Sequence, residues 1–183
     1  MLTVHVAGKR ISDFPLEPPL AASLLAAGGT ADACVDEMLT IAAMLSVPSP
    51  FQRPREAIKQ ADEARAKFED PTSDHVTLLN LWTEWRRRGE NSQWAYENFV
   101  HARSLKTADS IRSQLSRMIG ARGGGGARRG RGGAGSGRAD GAVGCSVRRC
   151  LLAGHFMQSA YLCKGGKVGG AARATTTPAA VAV

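Results

Sequence analysis

The chain has 183 residues, 43% hydrophobic and 22% charged, which is the composition of a globular domain with one core and excludes a chain that is disordered throughout. Its net charge of +8 favours polyanionic partners. Half of that excess sits in residues 121–144, where Arg122, Arg128, Arg129, Arg131 and Arg138 face a single acid, Asp140, so the remainder is only moderately basic.

Residues 1–16 open with "LTVHV", which alternates like a short strand. Gly8-Lys9 suits a turn, and "RISDF" returns as a second strand. The uncharged run from Pro18 to Ala31 contains two prolines and two glycines and is too broken to span a bilayer. With no signal peptide in view, a soluble intracellular protein is expected, without a membrane partner.

From Asp32 the period becomes helical. Val35, Met38, Leu39, Ala42 and Leu45 share one face, Asp36 and Glu37 occupy the first turn, and Pro48 ends the helix. In "SVPSPFQRP" the residues before proline are extended, and Phe51 is the one large apolar group available to anchor the segment. Pro54 then suits a first helical position. The next helix carries Ala57, Ala61, Ala64 and Phe68 on a narrow face, with Glu63 and Lys67 spaced for an i,i+4 pair.

Ser73 and Asp74 cap a third helix with His75, Leu78, Leu79, Trp82 and Trp85 on its face, and Gly89 closes it. A short helix from Ser92 to about His101 buries Trp94 and Phe99. A helix from Ser104 presents Leu105, Ala108, Ile111, Leu115 and Met118. Another begins near Ser146 with Cys150, Ala153, Met157 and Ala160. The end, "GGKVGGAARATTTPAAVAV", has no period and reads as disordered.

Catalytic motifs are not in evidence. Both "GK" pairs, Gly8-Lys9 and Gly166-Lys167, lack the serine or threonine and the spacing of a phosphate-binding loop. "DEAR" at Asp62 to Arg65 lies inside an amphipathic helix, where a solvated face is the expected role. Asp74 and His75 have no nucleophile at an elbow, so a core histidine is expected. The tryptophans fall among leucines at helical spacing, which favours the core over base stacking. Cys34, Cys145, Cys150 and Cys163 have no metal-ligand spacing and read as reduced structural thiols. No catalytic, cofactor or metal residue is assigned.

Seven stretches occur in order: "DFPLEPPLAASLL", "LTIAAMLSVPSPFQRP", "ADEARAKF", "SDHVTLLNLWTEW", "WAYENFV", "RSLKTADSIRSQLSRM" and "VRRCLLAGHFMQSAYL". Together they resemble the helicase-associated region of DEAH-box RNA helicases of the pre-mRNA-splicing and ribosome-assembly branch, over roughly residues 8–119 and 146–163. The resemblance implies a mainly α fold, a small ratchet-like helical bundle with a short N-terminal strand remnant of a winged helix. It divides the chain into a winged-helix hairpin remnant (1–16), the bundle (17–119), a Gly/Arg-rich disordered insertion (120–145), the last bundle helix (146–163) and a disordered tail (164–183). Where such helicases have "WC", this chain has Trp94-Ala95, a packing change.

The same resemblance implies a nuclear protein that helps bind and remodel RNA in splicing or ribosome biogenesis. ATP and Mg belong to RecA-like motors whose motifs are not in this chain, so no ATPase activity and no cofactor are expected of it alone. Single-stranded RNA, bound weakly and salt-sensitively, is the expected partner, with other helicase domains or activator proteins beside it. By position in the matched motifs, Arg103, Ser104, Arg112 and Gln114 are candidate RNA contacts. Arg122, Arg128, Arg129 and Arg131 in the glycine run join them on charge. The competing expectation is a stand-alone helical module that binds proteins.

Overall fold

The computed structural model describes residues 6–28, 34–122, 141–162, 168–170 and 181–182. Among these, eight α-helices form a bundle: α1 (Val6–Ser12), α2 (Pro18–Ala27), α3 (Val35–Leu45), α4 (Ile58–Ala66), α5 (Asp74–Arg87), α6 (Ser92–Glu97), α7 (Ala102–Arg122) and α8 (Gly141–Gly154). Three short strands follow, β1 (Ala160–Leu162), β2 (Val168–Gly170) and β3 (Val181–Ala182). The bundle is the mainly α fold expected.

The expected return strand over "RISDF" is corrected. Helix α1 runs through Ser12, and a turn closes with Phe14 N–H donating to the Ile11 carbonyl at 3.2 Å. Ile11 and Phe14 both pack into the core beside α2. Helical i,i+3 spacing puts them on one side, whereas strand alternation would send them to opposite faces. Most of "LTVHV" lies outside the described residues.

Helix α2 has no counterpart among the expected elements. Pro18 and Pro19 occupy its first positions, where a backbone N–H has no partner to lose. Leu20, Ala21, Ser23, Leu24 and Ala27 are all buried. Its most extensive packing is against α8, and one contact there requires glycine. A Cβ on Gly154 would run into the Pro19 carbonyl and the Ser23 side chain. Backbone against backbone, α8 can approach α2 only because that position is bare.

Two core clusters meet at α3. Met38, Leu39, Ile41 and Ala42 join Phe14, Leu24, Leu115, Val147, Cys150 and Leu151 in the first. Ala43 and Met44 join Phe68, Leu81, Trp82, Trp85, Ala95 and Leu105 in the second. Leu45, assigned to the apolar face by spacing, is instead 42% exposed at the helix end. Helix α5 is buried on more than its expected face: Val76, Thr77, Asn80 and Leu81 are inside as well, with Asn80 donating to the Phe68 carbonyl at 3.0 Å. Ala95, at the position where the sequence departs from "WC", is fully buried.

The last segment also differs from expectation. Helix α8 begins at Gly141 and stops at Gly154, rather than running from 146 to 163. A 3-10 turn (Phe156–Gln158) leads into β1 and leaves Met157 exposed; within α8 the buried face is Val147, Cys150 and Leu151, and Ala153 is exposed. Described parts of the expected disordered tail pair with β1: the sheet order is β2-β1-β3, all antiparallel, with Leu162 opposite Val168 and Tyr161 opposite Val181. Pairing satisfies strand N–H and C=O groups that a lone strand would leave to solvent. The glycine-run arginines Arg128, Arg129 and Arg131 lie outside the described residues. Arg122 is the last residue of α7.

Candidate nucleic-acid interface

Helix α7 is the longest element, and its start is fixed by the chain around it. His101 N–H donates to the Pro50 carbonyl at 2.8 Å, Gln52 N–H donates to the Phe99 carbonyl at 2.8 Å, and Phe51 bridges Val100. Gln52 Nε2 also donates to His101 Nδ1 at 2.8 Å. Phe99 adopts φ 54°, a left-handed conformation rare for an aromatic residue, so the α6–α7 turn is held by these contacts and not by local preference. Phe51 itself is half-buried, with the Arg65 guanidinium 5.2 Å from its ring centroid.

One side of α7 is apolar. Leu105, Ala108 and Leu115 are fully buried, and Ile111 and Met118 pack partly against the clusters. The complementary side carries Arg103, Lys106, Thr107, Ser110, Ser113, Gln114 and Arg117, all exposed. At 3.6 residues per turn these seven fall within an arc of roughly 120°, and the rise places Arg103 and Arg117 about 21 Å apart. The hydroxyls of Thr107 and Ser110 donate to the carbonyls of Arg103 and Lys106 at 3.0 and 3.2 Å, which leaves their lone pairs outward.

The stripe is basic and unopposed. Among the described residues no ion pair engages Arg103, Lys106 or Arg117. The nearby acid of α7, Asp109, lies at the edge of the stripe and is met by Arg86 at 3.5 Å. At the end of α5, Arg87 and Arg88 both bind Glu84, at 2.8 Å each. Hydrogen bonding from Arg87, followed by Arg88 and against partial burial, holds the Glu84 carboxyl below its usual range. The arginines at the end of α5 are thus largely spent on the protein's own acids, and Arg103, Lys106 and Arg117 of the α7 stripe are not.

The candidates taken from sequence separate on this helix. Arg103 and Gln114 lie in the exposed stripe, and Ser104 is half-buried at its margin. Arg112 lies on the far side, 28% exposed, with Nε donating to Thr40 Oγ1 at 3.0 Å and Nη2 donating to Asp36 at 3.2 Å. It ties α7 to α3. Lys106 and Arg117 were not singled out from sequence, although their signal was present: they are the polar complement of the Leu105–Met118 face.

Apart from the stripe, a cleft of about 820 Å³ is lined by Phe14, Leu16, Glu17, Leu45, His75 and His155, among others. Burial, the neighbouring His155 and, in opposition, Asp74 combine to push the His75 imidazole below its usual value. Its Nδ1 is buried without a hydrogen-bond partner. His155 Nδ1 lies 3.4 Å from Ser23 Oγ, but that hydroxyl donates to the Pro19 carbonyl at 3.0 Å, so its proton is committed to the backbone. The arrangement is a packed helix junction and not an activated nucleophile. Among the described residues no cluster of three metal-ligating groups occurs, and no helix is long and apolar enough to cross a membrane.

Comparison with known proteins bears directly on α2 through the start of α5. The family described as helicase-associated domain (HA2), ratchet-like, matches residues 17–78. The pre-mRNA-splicing factor ATP-dependent RNA helicase prp22 of Schizosaccharomyces pombe (strain 972 / ATCC 24843) is 43% identical over 112 residues. That match covers 61% of this chain and 9% of the relative, so the chain spans a small part of that helicase's length. The helical bundle, the matched segment and this identity together support a ratchet-like helicase-associated region within the chain, similar to part of a splicing RNA helicase.

Proposed function

We propose that this bundle acts as an RNA-guiding accessory of a DEAH-box RNA helicase in pre-mRNA splicing or ribosome biogenesis, in the nucleus. The observation that carries the proposal is the α7 stripe, where Arg103, Lys106 and Arg117 stand without an ion pair among the described residues, amid hydroxyl and amide side chains along about 21 Å. Cations at that spacing suit a flexible phosphate backbone, and Ser110, Ser113 and Gln114 between them suit phosphate and sugar oxygens. Nothing on the stripe is shaped to read base edges, so binding is weak and indifferent to sequence. Arg122, Arg128, Arg129 and Arg131 add charge from the glycine run. ATP hydrolysis belongs to motor domains and not to this bundle, and the exposed Leu45, Phe156 and Met157 suit contact with such neighbours or with an activator protein.

The test is anisotropy of labelled single-stranded oligouridine with the whole chain across a salt series. For single strands the slope of log K against log salt is about −0.7 per neutralised phosphate. Relative to the unaltered chain, the triple variant R103A/K106A/R117A therefore loses about 2 from the slope while keeping its helical content. An unchanged slope refutes the stripe. Failure of the unaltered chain to bind at 50 mM salt would transfer the bundle to the competing assignment, a protein-binding module.

A further inference from the structure

Two of the buried thiols meet. Cys34, at the N-terminal end of α3, and Cys150, midway along α8, lie with their Sγ atoms 3.5 Å apart. They are 3% and 1% exposed, inside the first core cluster. In sequence they are 116 residues apart, and the Gly/Arg-rich run falls between them. Nothing in the RNA-guiding role uses either sulfur.

We propose that Cys34 and Cys150 form an oxidative modification site, which a peroxide-class oxidant converts into a disulfide that staples α8 to α3. Closing the bond needs the sulfurs to move together by about 1.5 Å, to a disulfide length of about 2.0 Å. Burial, with the hydrogen bond to Cys150 next in weight, pushes the Cys34 thiol up to about 12. In the proposed step Cys150 takes the oxidant. Its attack on one peroxide oxygen breaks the O–O bond, giving a Cys150 sulfenic acid and one water. The Cys34 sulfur then displaces the sulfenic hydroxyl, forming the S–S bond and releasing a second water. Two thiols lose two hydrogens and two electrons, and one hydrogen peroxide becomes two waters.

The staple has a mechanical consequence. Cys34 lies two residues before Asp36 and six before Thr40, the α3 residues that hold Arg112 of α7. A bond to α8 there fixes the helix that follows the glycine run to the element that orients α7. It also closes a loop of more than a hundred residues in the unfolded chain, the case in which a cross-link restrains the unfolded state most.

The experiment uses the whole chain carrying C145S and C163S, so that only the proposed pair remains. It is incubated with hydrogen peroxide, alkylated and mapped by mass spectrometry without reduction, and its melting is followed with and without dithiothreitol. A Cys34–Cys150 cross-linked peptide is expected, with a rise in Tm on the order of 10 °C that dithiothreitol reverses. C150S added to this background abolishes both changes. The proposal is overturned if the mapped peptides hold sulfinic or unmodified Cys34 and Cys150 while the protein stays folded. It is also overturned if the cross-link forms and Tm falls. Because reduction and oxidation are compared on one protein, poor folding of the serine variant does not hide either outcome.

Discussion

Replacing Arg112 with alanine separates two roles that the sequence leaves together. The guanidinium makes one hydrogen bond to Thr40 Oγ1 at 3.0 Å and one ion-paired contact to Asp36 at 3.2 Å. A charged donor on a neutral acceptor contributes about 1–1.5 kcal/mol. The Asp36 pair, 64% exposed on the acid side, contributes about 0.5 kcal/mol after screening. Thr40 keeps its own hydrogen bond to the Asp36 carbonyl at 2.8 Å, so its loss of Arg112 leaves no orphaned hydroxyl and the total stays near 1.5–2 kcal/mol. For a domain of this size that is a fall in Tm of about 5 °C by differential scanning fluorimetry. RNA binding gives the second readout. If Arg112 is a positioning residue, the salt slope of oligouridine binding is unchanged in R112A, and T40V reproduces part of the Tm loss. The tie between α3 and α7 is refuted if R112A melts within about 1 °C of the unaltered chain and its salt slope falls by about 0.7, the signature of a lost phosphate contact.

Gly154→Ala drives a methyl group into the Pro19 carbonyl and Ser23, and costs at least about 1–3 kcal/mol, read as a lower urea midpoint; a midpoint equal to that of the unaltered chain would show that α8 does not press on α2. Trp85 is fully buried, so W85A loses about 3–5 kcal/mol and unfolds much of the population at 25 °C by circular dichroism. W85F is far milder, because the Trp85 Nε1 it removes is itself buried without a partner. Stability depends on pH through His75. Its folded-state pKa lies below the unfolded 6.5, so the unfolded chain binds the proton first, and stability present above about pH 6.5 is lost as pH falls below it. Tm should therefore drop more between pH 7.5 and 5.5 in the unaltered chain than in H75N, and equal drops would contradict a buried neutral imidazole.

The helices that sequence made legible are those with one wet side. In α4 and α7 the alternation of buried and exposed positions follows the 3.6 period, so the sequence pattern places Ala61, Ala64, Leu105 and Leu115 inside, whereas α3 is buried without a break from Met38 to Met44 and the period picks out only part of its buried surface. Helix α2 escapes that logic. Its sequence "PPLAASLLAA" is apolar on nearly every side, because α1, α3 and α8 all lie against it, and a helix wrapped by neighbours shows no stripe. The same blindness affects α1, where Gly8 and short length mimic a hairpin, and α8, where the periodic reading put Ala153 and Met157 inside although Gly154 ends the helix first. Gly154 is informative only once Pro19 and Ser23 are known to face it, and that contact is long-range.

The proposed RNA-facing surface follows the same division. Motif resemblance pointed to Arg103, Ser104, Arg112 and Gln114 as a unit, since family likeness reports that residues matter without saying which way they face. Helical geometry divides them: nine positions separate Arg103 from Arg112, which at 100° per residue is 900°, half a turn away. One arginine therefore faces solvent while the other faces α3. The physical requirement behind the pattern is an acid where the helix must be held and none where it must stay available. Asp36 meets Arg112 and Asp109 meets Arg86, while Arg103, Lys106 and Arg117 meet no acid among the described residues, Arg117 Nε donating only to the Ser113 carbonyl of its own helix at 3.2 Å. A bundle selected only to fold gains from pairing such cations with exposed acids. Three unpaired cations in register on its longest helix keep a like-charge cost that a bound polyanion would remove.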